Sequence, residues 1–145
     1  MADAIQLAVA SSPEEASVRA AAALAAAART GGSISLAGSN TPRRSYELLA
    51  AEPGIDWSQV HIWFGDERCV PPVDPESNYR MAHETLISRI DIPAANVHRI
   101  RGEDDPAAAA DAYSREIAGL ALDLALLGLG PDGHTASLFP DDPAL

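Results

Sequence analysis

Residues 123–129 read DLALLGL and form the most strand-like stretch of this 145-residue chain. Their almost continuous apolar character is typical of a central parallel strand that helices cover on both faces. The run leads directly into GPDG at 130–133, where the glycines allow a sharp turn. In open parallel sheets, ligands bind beyond the carboxyl ends of strands. This stretch therefore predicts an α/β protein with a candidate site immediately after residue 129.

Upstream of this stretch, short apolar segments alternate with helix-forming segments. Strands are predicted at four places: 5–10, 33–37, His61–Phe64 and, more weakly, 97–100. Helices are predicted between them, at about 13–29, 42–51, 75–90 and 106–119. The alternation predicts an α/β fold with a parallel, doubly wound (Rossmann-like) sheet and helices on both faces. Nothing divides the chain, so residues 1–145 are expected to form a single domain.

The charge of the chain limits its partners. Its formal net charge is −11, which argues against binding nucleic acid, because duplex binders need a basic surface. The same charge gives no long-range attraction for an anionic substrate. All ten basic residues are arginine. A site for an anion must therefore be built locally, from arginine side chains and backbone amides.

Compartment signals are sparse but consistent. Cys69 is the single cysteine, so no intramolecular disulfide can form, which fits a reducing compartment. No apolar stretch is long enough to span a bilayer, and the first residues lack a basic region followed by an apolar one. We therefore expect no membrane contact and a cytoplasmic location.

The first candidate site follows the strand at 33–37. It consists of small residues at a predicted helix start: Gly38, Ser39, Asn40, Thr41 and Pro42. Free amides at a helix N-terminus attract anions, and the hydroxyl groups of Ser39 and Thr41 add donors. Thr41 is the predicted N-cap. Arg43 and Arg44 follow, but consecutive helical residues point in different directions, so at most one should face the site. An ordinary strand-to-helix turn is the alternative, and the segment by itself favours it.

The second candidate site is the polar loop after His61–Phe64, which reads GDERCVPP at 65–72. Arg68 would supply a fixed cation for a phosphate or a developing oxyanion, and Asp66 a carboxylate in the cleft. A surface loop held by salt bridges is the alternative. Cys69 is better explained by packing than as a nucleophile, because no histidine lies near it in the sequence.

The third candidate site is the loop at 130–135, GPDGHT. Gly130 and Gly133 would let the backbone approach a ligand closely. His134 is a candidate general base near neutral pH, and Asp132 would orient its imidazole. An ordinary loop histidine is the alternative. The other histidines lie away from glycine loops, and the spacing of the four predicts no metal site. These others are His61, His83 and His98.

Together, the three loops resemble the 6-phosphogluconolactonase family, which is grouped with glucosamine-6-phosphate deaminases and related isomerases. The matching segments are AGSNTP at 37–42, DERCVP at 66–71, SNY at 77–79 and GLGPDGHTASLFP at 128–140. Ser39 departs from the usual glycine, and Asn40 from a common serine. Deaminases resemble the chain at Asp-Gly-His but typically carry tyrosine where Arg68 stands and glutamate where Phe139 stands. The resemblance therefore favours the lactonase branch.

The resemblance implies hydrolysis of 6-phospho-D-glucono-1,5-lactone to 6-phosphogluconate in the oxidative pentose phosphate pathway, without metal or cofactor. His134 would activate water, Asp132 or Asp66 would stabilise its imidazolium, and Arg68 would hold the phosphate or the oxyanion. Gly38, Ser39, Asn40, Thr41, Arg43, Gly130 and Gly133 would contribute to substrate binding.

The family resemblance also bears on the length of the chain. Relatives are longer by on the order of 100 residues, enough for further strand–helix units. This implies a sheet truncated at its C-terminal side, whose exposed edge would allow self-association. A non-catalytic sugar-phosphate-binding fragment is the alternative, and an amino-sugar-phosphate deaminase or isomerase is a more distant one.

Overall fold

Helices and strands alternate along the chain, and the computed structural model describes residues 5–143 and 145. The main elements of these residues are α1 (Pro13–Arg29), β1 (Ser33–Leu36), α2 (Arg43–Ala50), β2 (His61–Phe64), α3 (Asn78–Thr85), α4 (Pro106–Ile117) and β3 (Leu124–Ala125). Single-turn 3₁₀ helices lie at Trp57–Gln59, Ile87–Arg89 and Ala94–Asn96. None of the helices described combines the length and apolar character that crossing a membrane requires.

The strands form one parallel sheet in the order β2-β1-β3. Val97 extends this order by a parallel bridge to Ile62 on the other side of β2. Later segments of the chain are therefore added on both sides of β1. The position between β1 and β3, where the strand order reverses, is the switch point at which doubly wound sheets bind ligands.

The side chains of the sheet alternate between two faces, as the pleat requires. Ile34 and Leu36 of β1 and Ile62 and Phe64 of β2 enter the main core, against buried residues of α1, α2 and α3. These helices contribute Leu24, Ala25, Ala28, Tyr46, Leu49, Met81 and Ala82. Alanine on α1 lets its backbone lie close to α2. Burial of each large apolar side chain contributes roughly 1.5–3 kcal/mol, so this face supplies most of the stability.

The opposite face is covered beside β2 by α4. The Trp63 ring stacks on the His98 ring at 3.9 Å. His98 Nδ1 lies 2.5 Å from a carboxylate oxygen of Glu116 on α4, and its Nε2 lies 2.9 Å from the ring of His61. These contacts assign His61 and His98 to packing. Helices therefore lie on both faces, which confirms the predicted doubly wound arrangement.

Three strand predictions were wrong in extent or place. Residues 5–10 form no strand, and Ile5 and Leu7 are almost fully exposed. Residues 97–100 contribute only the bridge at Val97. The run 123–129 forms a strand only at Leu124–Ala125, and it lies at an edge while β1 is central. Apolar sequence signals a tendency to be buried, but a strand also needs a hydrogen-bonding partner, and β3 pairs only with β1 among the described residues.

Side-chain caps stabilise the starts of α1 and α4. The Ser12 hydroxyl accepts a hydrogen bond from the backbone N–H of Glu15 at 3.1 Å, and Asp105 caps α4 in the same way. The prediction that Thr41 caps α2 was wrong, because Pro42 is the residue before α2 and no side chain caps this helix. The helix therefore begins one residue later than the Thr-Pro pattern predicts.

Tyr113→Phe is predicted to destabilise the fold by about 1–3 kcal/mol. The Tyr113 hydroxyl donates to the Phe64 carbonyl at 3.0 Å and accepts from the Phe64 N–H at 2.9 Å, so its loss leaves two partly buried backbone groups unpaired. Urea unfolding measures this change, and an unchanged free energy of unfolding would contradict it. Burial raises the pKa of Tyr113 to about 12. Its contribution should therefore be intact below pH 10 and disappear as the pH rises towards 12.

Candidate active site

A cleft of about 550 Å³ lies at the switch point, and all three polar loops border it. It is bounded by residues after β1, after β2 and after β3, and by the first turns of α1. From the predicted sites it contains Gly38, Ser39, Thr41, Asp66, Arg68, Gly130 and His134. A smaller cleft of about 260 Å³ adjoins it and contains Asn40 and Arg43. Ser39, Arg68 and Asn78 border both clefts, so the two clefts are neighbours.

His134 is oriented by Asp132. The imidazole Nδ1 lies 2.5 Å from the Asp132 carboxylate, and the backbone N–H of His134 donates to the same oxygen at 3.1 Å. These hydrogen bonds from His134 lower the pKa of Asp132, so its carboxylate stays ionised and accepts the Nδ1 proton. In the neutral ring, Nε2 is then the nitrogen with a free lone pair. This is the arrangement that a general base requires.

The two glycines of this loop each meet a geometric need. Gly130 donates its N–H to the His134 carbonyl at 2.8 Å, and a Cβ at Gly130 would lie only 2.2 Å from His134 ring atoms. Gly133 has a φ of +90°, a conformation that side chains disfavour. The ring of Phe139 closes the other side of the imidazole, with centroids 4.7 Å apart. The loop therefore holds the His134 ring between Gly130 and Phe139.

The two carboxylates after β2 have separate partners. Asp66 accepts hydrogen bonds from the Ser137 hydroxyl at 2.6 Å and from the Asn78 amide at 3.1 Å. Asp132 is thus the carboxylate that contacts the His134 ring, whereas Asp66 contacts the loop beyond it. Glu67 accepts bonds from the backbone N–H groups of Asn78 and Tyr79, at 2.7 and 2.9 Å. Glu67 therefore caps α3.

Two arginines face the clefts through loose ion pairs. Arg68 is about half exposed and lies 3.8 Å from Glu76, and Arg43 lies 3.6 Å from Glu84. Exposed pairs of this kind contribute about 0–1 kcal/mol, so an anionic ligand could replace the glutamates at little cost. Arg44 instead binds Glu14 at the start of α1. The structure thus brings Arg43, and not Arg44, to the site.

The loop after β1 fits closely around Asn78. A Cβ at Gly38 would lie 2.2 Å from the Asn78 amide, so only glycine allows this approach. Ser39 has a φ of 66°, in the left-handed region. That conformation explains why glycine is usual at this position in the family that the motif resembles.

Sequence reasoning missed some residues and misjudged another. Asn78 and Ser137 join the loops by hydrogen bonds, yet only their motif membership, in SNY and in the segment at 128–140, pointed to them. Cys69 is exposed, so its predicted packing role was wrong. Within residues 5–143 and 145, no three His, Cys, Asp or Glu side chains are grouped to hold a metal ion.

The fold and the site together define a doubly wound α/β domain with an Asp–His pair and an arginine-bordered cleft at its switch point. A family described as "Glucosamine-6-phosphate isomerases/6-phosphogluconolactonase" matches residues 6–145. The chain belongs to this family.

Several relatives carry the name of its lactonase branch. A 6-phosphogluconolactonase of Haemophilus influenzae is 46% identical in an alignment of length 114 that covers 74% of this chain and 49% of that protein. One from Synechocystis is 45% identical in an alignment of length 131 that covers 83% of this chain and 54% of that protein. The solved structure of 6-phosphogluconolactonase from Trypanosoma brucei has a TM-score of 0.83 at 30% identity, covering 94% of this chain and 64% of that one. The chain thus spans about half the length of the curated relatives that it matches.

Proposed function

We propose that the protein hydrolyses 6-phospho-D-glucono-1,5-lactone to 6-phosphogluconate, a step of the oxidative pentose phosphate pathway. The observation that carries this proposal is the Asp132–His134 pair, held at the edge of a cleft that Arg68 also borders. A base and a cation at one switch-point cleft suit hydrolysis of a phosphorylated ester. The names of the relatives support the same reaction.

His134 serves both proton transfers in the proposed mechanism. Its Nε2 removes a proton from water as the water oxygen bonds to the lactone carbonyl carbon, which leaves a tetrahedral oxyanion. The oxyanion collapses, the bond between that carbon and the ring oxygen breaks, and the imidazolium returns its proton to the ring oxygen. Asp132 stabilises the imidazolium between the two transfers. General acid–base assistance of this kind contributes about 10²–10⁴-fold.

We assign the phosphate to the smaller cleft. Arg43 borders that cleft and Arg68 borders both, so the two guanidinium groups supply donors for the phosphate. The lactone ring then occupies the larger cleft beside His134. In this arrangement Arg68 lies at the junction, within reach of the phosphate. With a net charge of −11 on the whole chain, these local donors must supply the attraction for the substrate.

The proposal predicts turnover of the phosphorylated lactone, measured by coupling 6-phosphogluconate to its dehydrogenase at low background hydrolysis. The 145-residue chain should exceed the spontaneous rate. Unphosphorylated gluconolactone should show a much higher KM because it lacks the group that the arginines bind. Absence of turnover would overturn the proposal. A thermal shift with 6-phosphogluconate but no turnover would identify a non-catalytic binding protein, and ammonia release from glucosamine 6-phosphate would identify a deaminase.

The edge of β3 bears on assembly. Among the described residues only β1 pairs with β3, and Leu127 and Leu129 beyond it are 59% and 82% exposed. An unpaired apolar edge favours pairing with another chain. Self-association through this edge stays a prediction, which size-exclusion chromatography at several concentrations would check.

A further inference from the structure

Asn78 is a buried amide at the point where the three loops meet. It is the first residue of α3, is 4% exposed, and borders both clefts. Its Oδ1 accepts a hydrogen bond from the Ser39 N–H at 3.3 Å. Its Nδ2 donates to the backbone carbonyl and to the carboxylate of Asp66, both at 3.1 Å. The loop after β1 is thereby joined to the loop after β2.

Asp66 continues this connection to the third loop. Its second carboxylate oxygen accepts the Ser137 hydroxyl at 2.6 Å. Ser137 lies three residues beyond His134, inside a turn closed by the Leu138 N–H and the Thr135 carbonyl at 2.9 Å. We call the side chains of Asn78, Asp66 and Ser137 the strut. It links the backbone at Ser39 to the loop that holds His134.

We infer that Asn78 and Asp66 are positioning residues, which hold the His134 loop against the loop at Gly38 and Ser39 through Ser137, and that Asp66 transfers no proton. The inference rests on the proposed lactonase function. It changes the role of Asp66, which sequence reasoning grouped with the catalytic residues, and gives a role to Asn78, which that reasoning left without one.

The chemistry at position 78 requires an amide. One side must accept a hydrogen bond from a backbone N–H, and the other must donate to a carbonyl and a carboxylate, so neither a carboxylate nor an alkyl group satisfies both. Glu67 fixes the position of the amide by binding the backbone N–H of Asn78 at 2.7 Å. A shift of about 1 Å in catalytic geometry can cost about 10²-fold in rate. The strut can therefore affect the rate of catalysis through the placement of the His134 loop.

The isosteric variant Asn78→Asp tests the strut through pH. It places a carboxylate against Asp66. The next acidic group is Glu67, which lies in the loop after β2 and binds the first backbone N–H groups of α3. We expect kcat to fall about 10²-fold near neutral pH. The ratio of variant to wild-type kcat should then rise as the pH falls, because one proton shared by the two carboxyls restores a hydrogen bond. A ratio that is constant with pH would contradict the inference. Asn96→Asp, whose amide binds the Ser58 and Val60 carbonyls away from the clefts, is the matched control and should keep wild-type kcat.

The exchanged pair Asn78→Asp with Asp66→Asn separates positioning from catalysis. The new amide at 66 can donate to the carboxylate at 78 while its oxygen still accepts from Ser137. We expect this double variant to regain at least about ten-fold in kcat over Asn78→Asp alone, since position and hydrogen bonds are largely restored. If Asp66 itself transfers a proton, the double variant will stay as inactive as the single one, and the inference is wrong.

A measurement without turnover keeps the inference separate from the proposed function. Ser137→Ala should increase hydrogen exchange at the Leu138 amide, whereas Ser114→Ala, on the exposed face of α4, should not. Unchanged exchange in Ser137→Ala would show that the strut does not hold the loop. If the wild type lacks turnover, the proposed function fails, and the exchange result still decides whether the strut exists.

Discussion

Replacing His134 with alanine should lower kcat by about 10²–10⁴-fold while leaving the fold and phosphate binding in place. The imidazole is partly exposed and its main partners are Asp132 and Phe139, so its removal disturbs little of the core. The nitrogen that faces away from Asp132 is the proposed acceptor of the proton from water. The expected loss is therefore in the chemical step, with little change in KM.

The matched control is His83→Ala. His83 is an exposed histidine on α3 whose ring lies 5.8 Å from that of Tyr79, and its loss should leave kcat unchanged. Steady-state kinetics with the phosphorylated lactone measure the loss in kcat. A thermal shift by 6-phosphogluconate measures whether the fold and phosphate binding are retained. Wild-type kcat in His134→Ala would eliminate this residue as the base. The depressed pKa of Asp132 also predicts that the Asp132–His134 bond persists above the usual carboxyl range and is lost only as the pH falls below it.

Gly130→Ala should be nearly as damaging as a change at the base itself, with an expected loss of about 10²-fold in kcat. The added methyl group would lie 2.2 Å from two atoms of the His134 ring, so the ring must move. Because φ at Gly130 is not positive, alanine causes no strain in the backbone there. We therefore expect the variant to misplace the imidazole, which lowers kcat, and to keep its free energy of unfolding.

Gly54→Ala gives the opposite pattern and serves as the control. Gly54 has a φ of +75° with open space around it, so alanine there costs roughly 1–2 kcal/mol of stability without touching the clefts. Comparison of kcat with the free energy of unfolding separates the two variants. If Gly130→Ala loses stability but keeps kcat, the close approach of glycine and imidazole has no catalytic role.

Local pattern was a good guide to where the polar loops lie. Loops after buried strands were identified as candidate sites, and the structure brings Gly38, Arg68 and His134 to one cleft. This succeeded because the carboxyl ends of parallel strands must meet at one edge of the sheet. The same local chemistry predicted the starts of α1 and α4 and the glycine turn at 133.

Partner choice could not be predicted locally. Asp66 and Asp132 were equal candidates for orienting His134. Asp132 lies two residues from it in one tight loop and contacts its ring, while Asp66 accepts hydrogen bonds from Asn78 and Ser137 instead. Arg43 and Arg44 were likewise equivalent until the packing of α1 against α2 placed Glu14 beside Arg44. Contacts between residues far apart in the chain depend on how the helices and strands pack, which no local pattern encodes.

The sequence by itself determined the doubly wound class, the three loops, the family resemblance and the identity of the candidate base. Each depends on residue type, local order and the fixed direction of parallel strands. Only the tertiary structure decided that DLALLGL forms a two-residue edge strand, that Asp132 holds the imidazole, and that Asn78 joins the loops. These features depend on hydrogen-bonding partners distant in the chain or on the geometry of one turn, and a strand or a side chain takes its place only where such a partner is supplied.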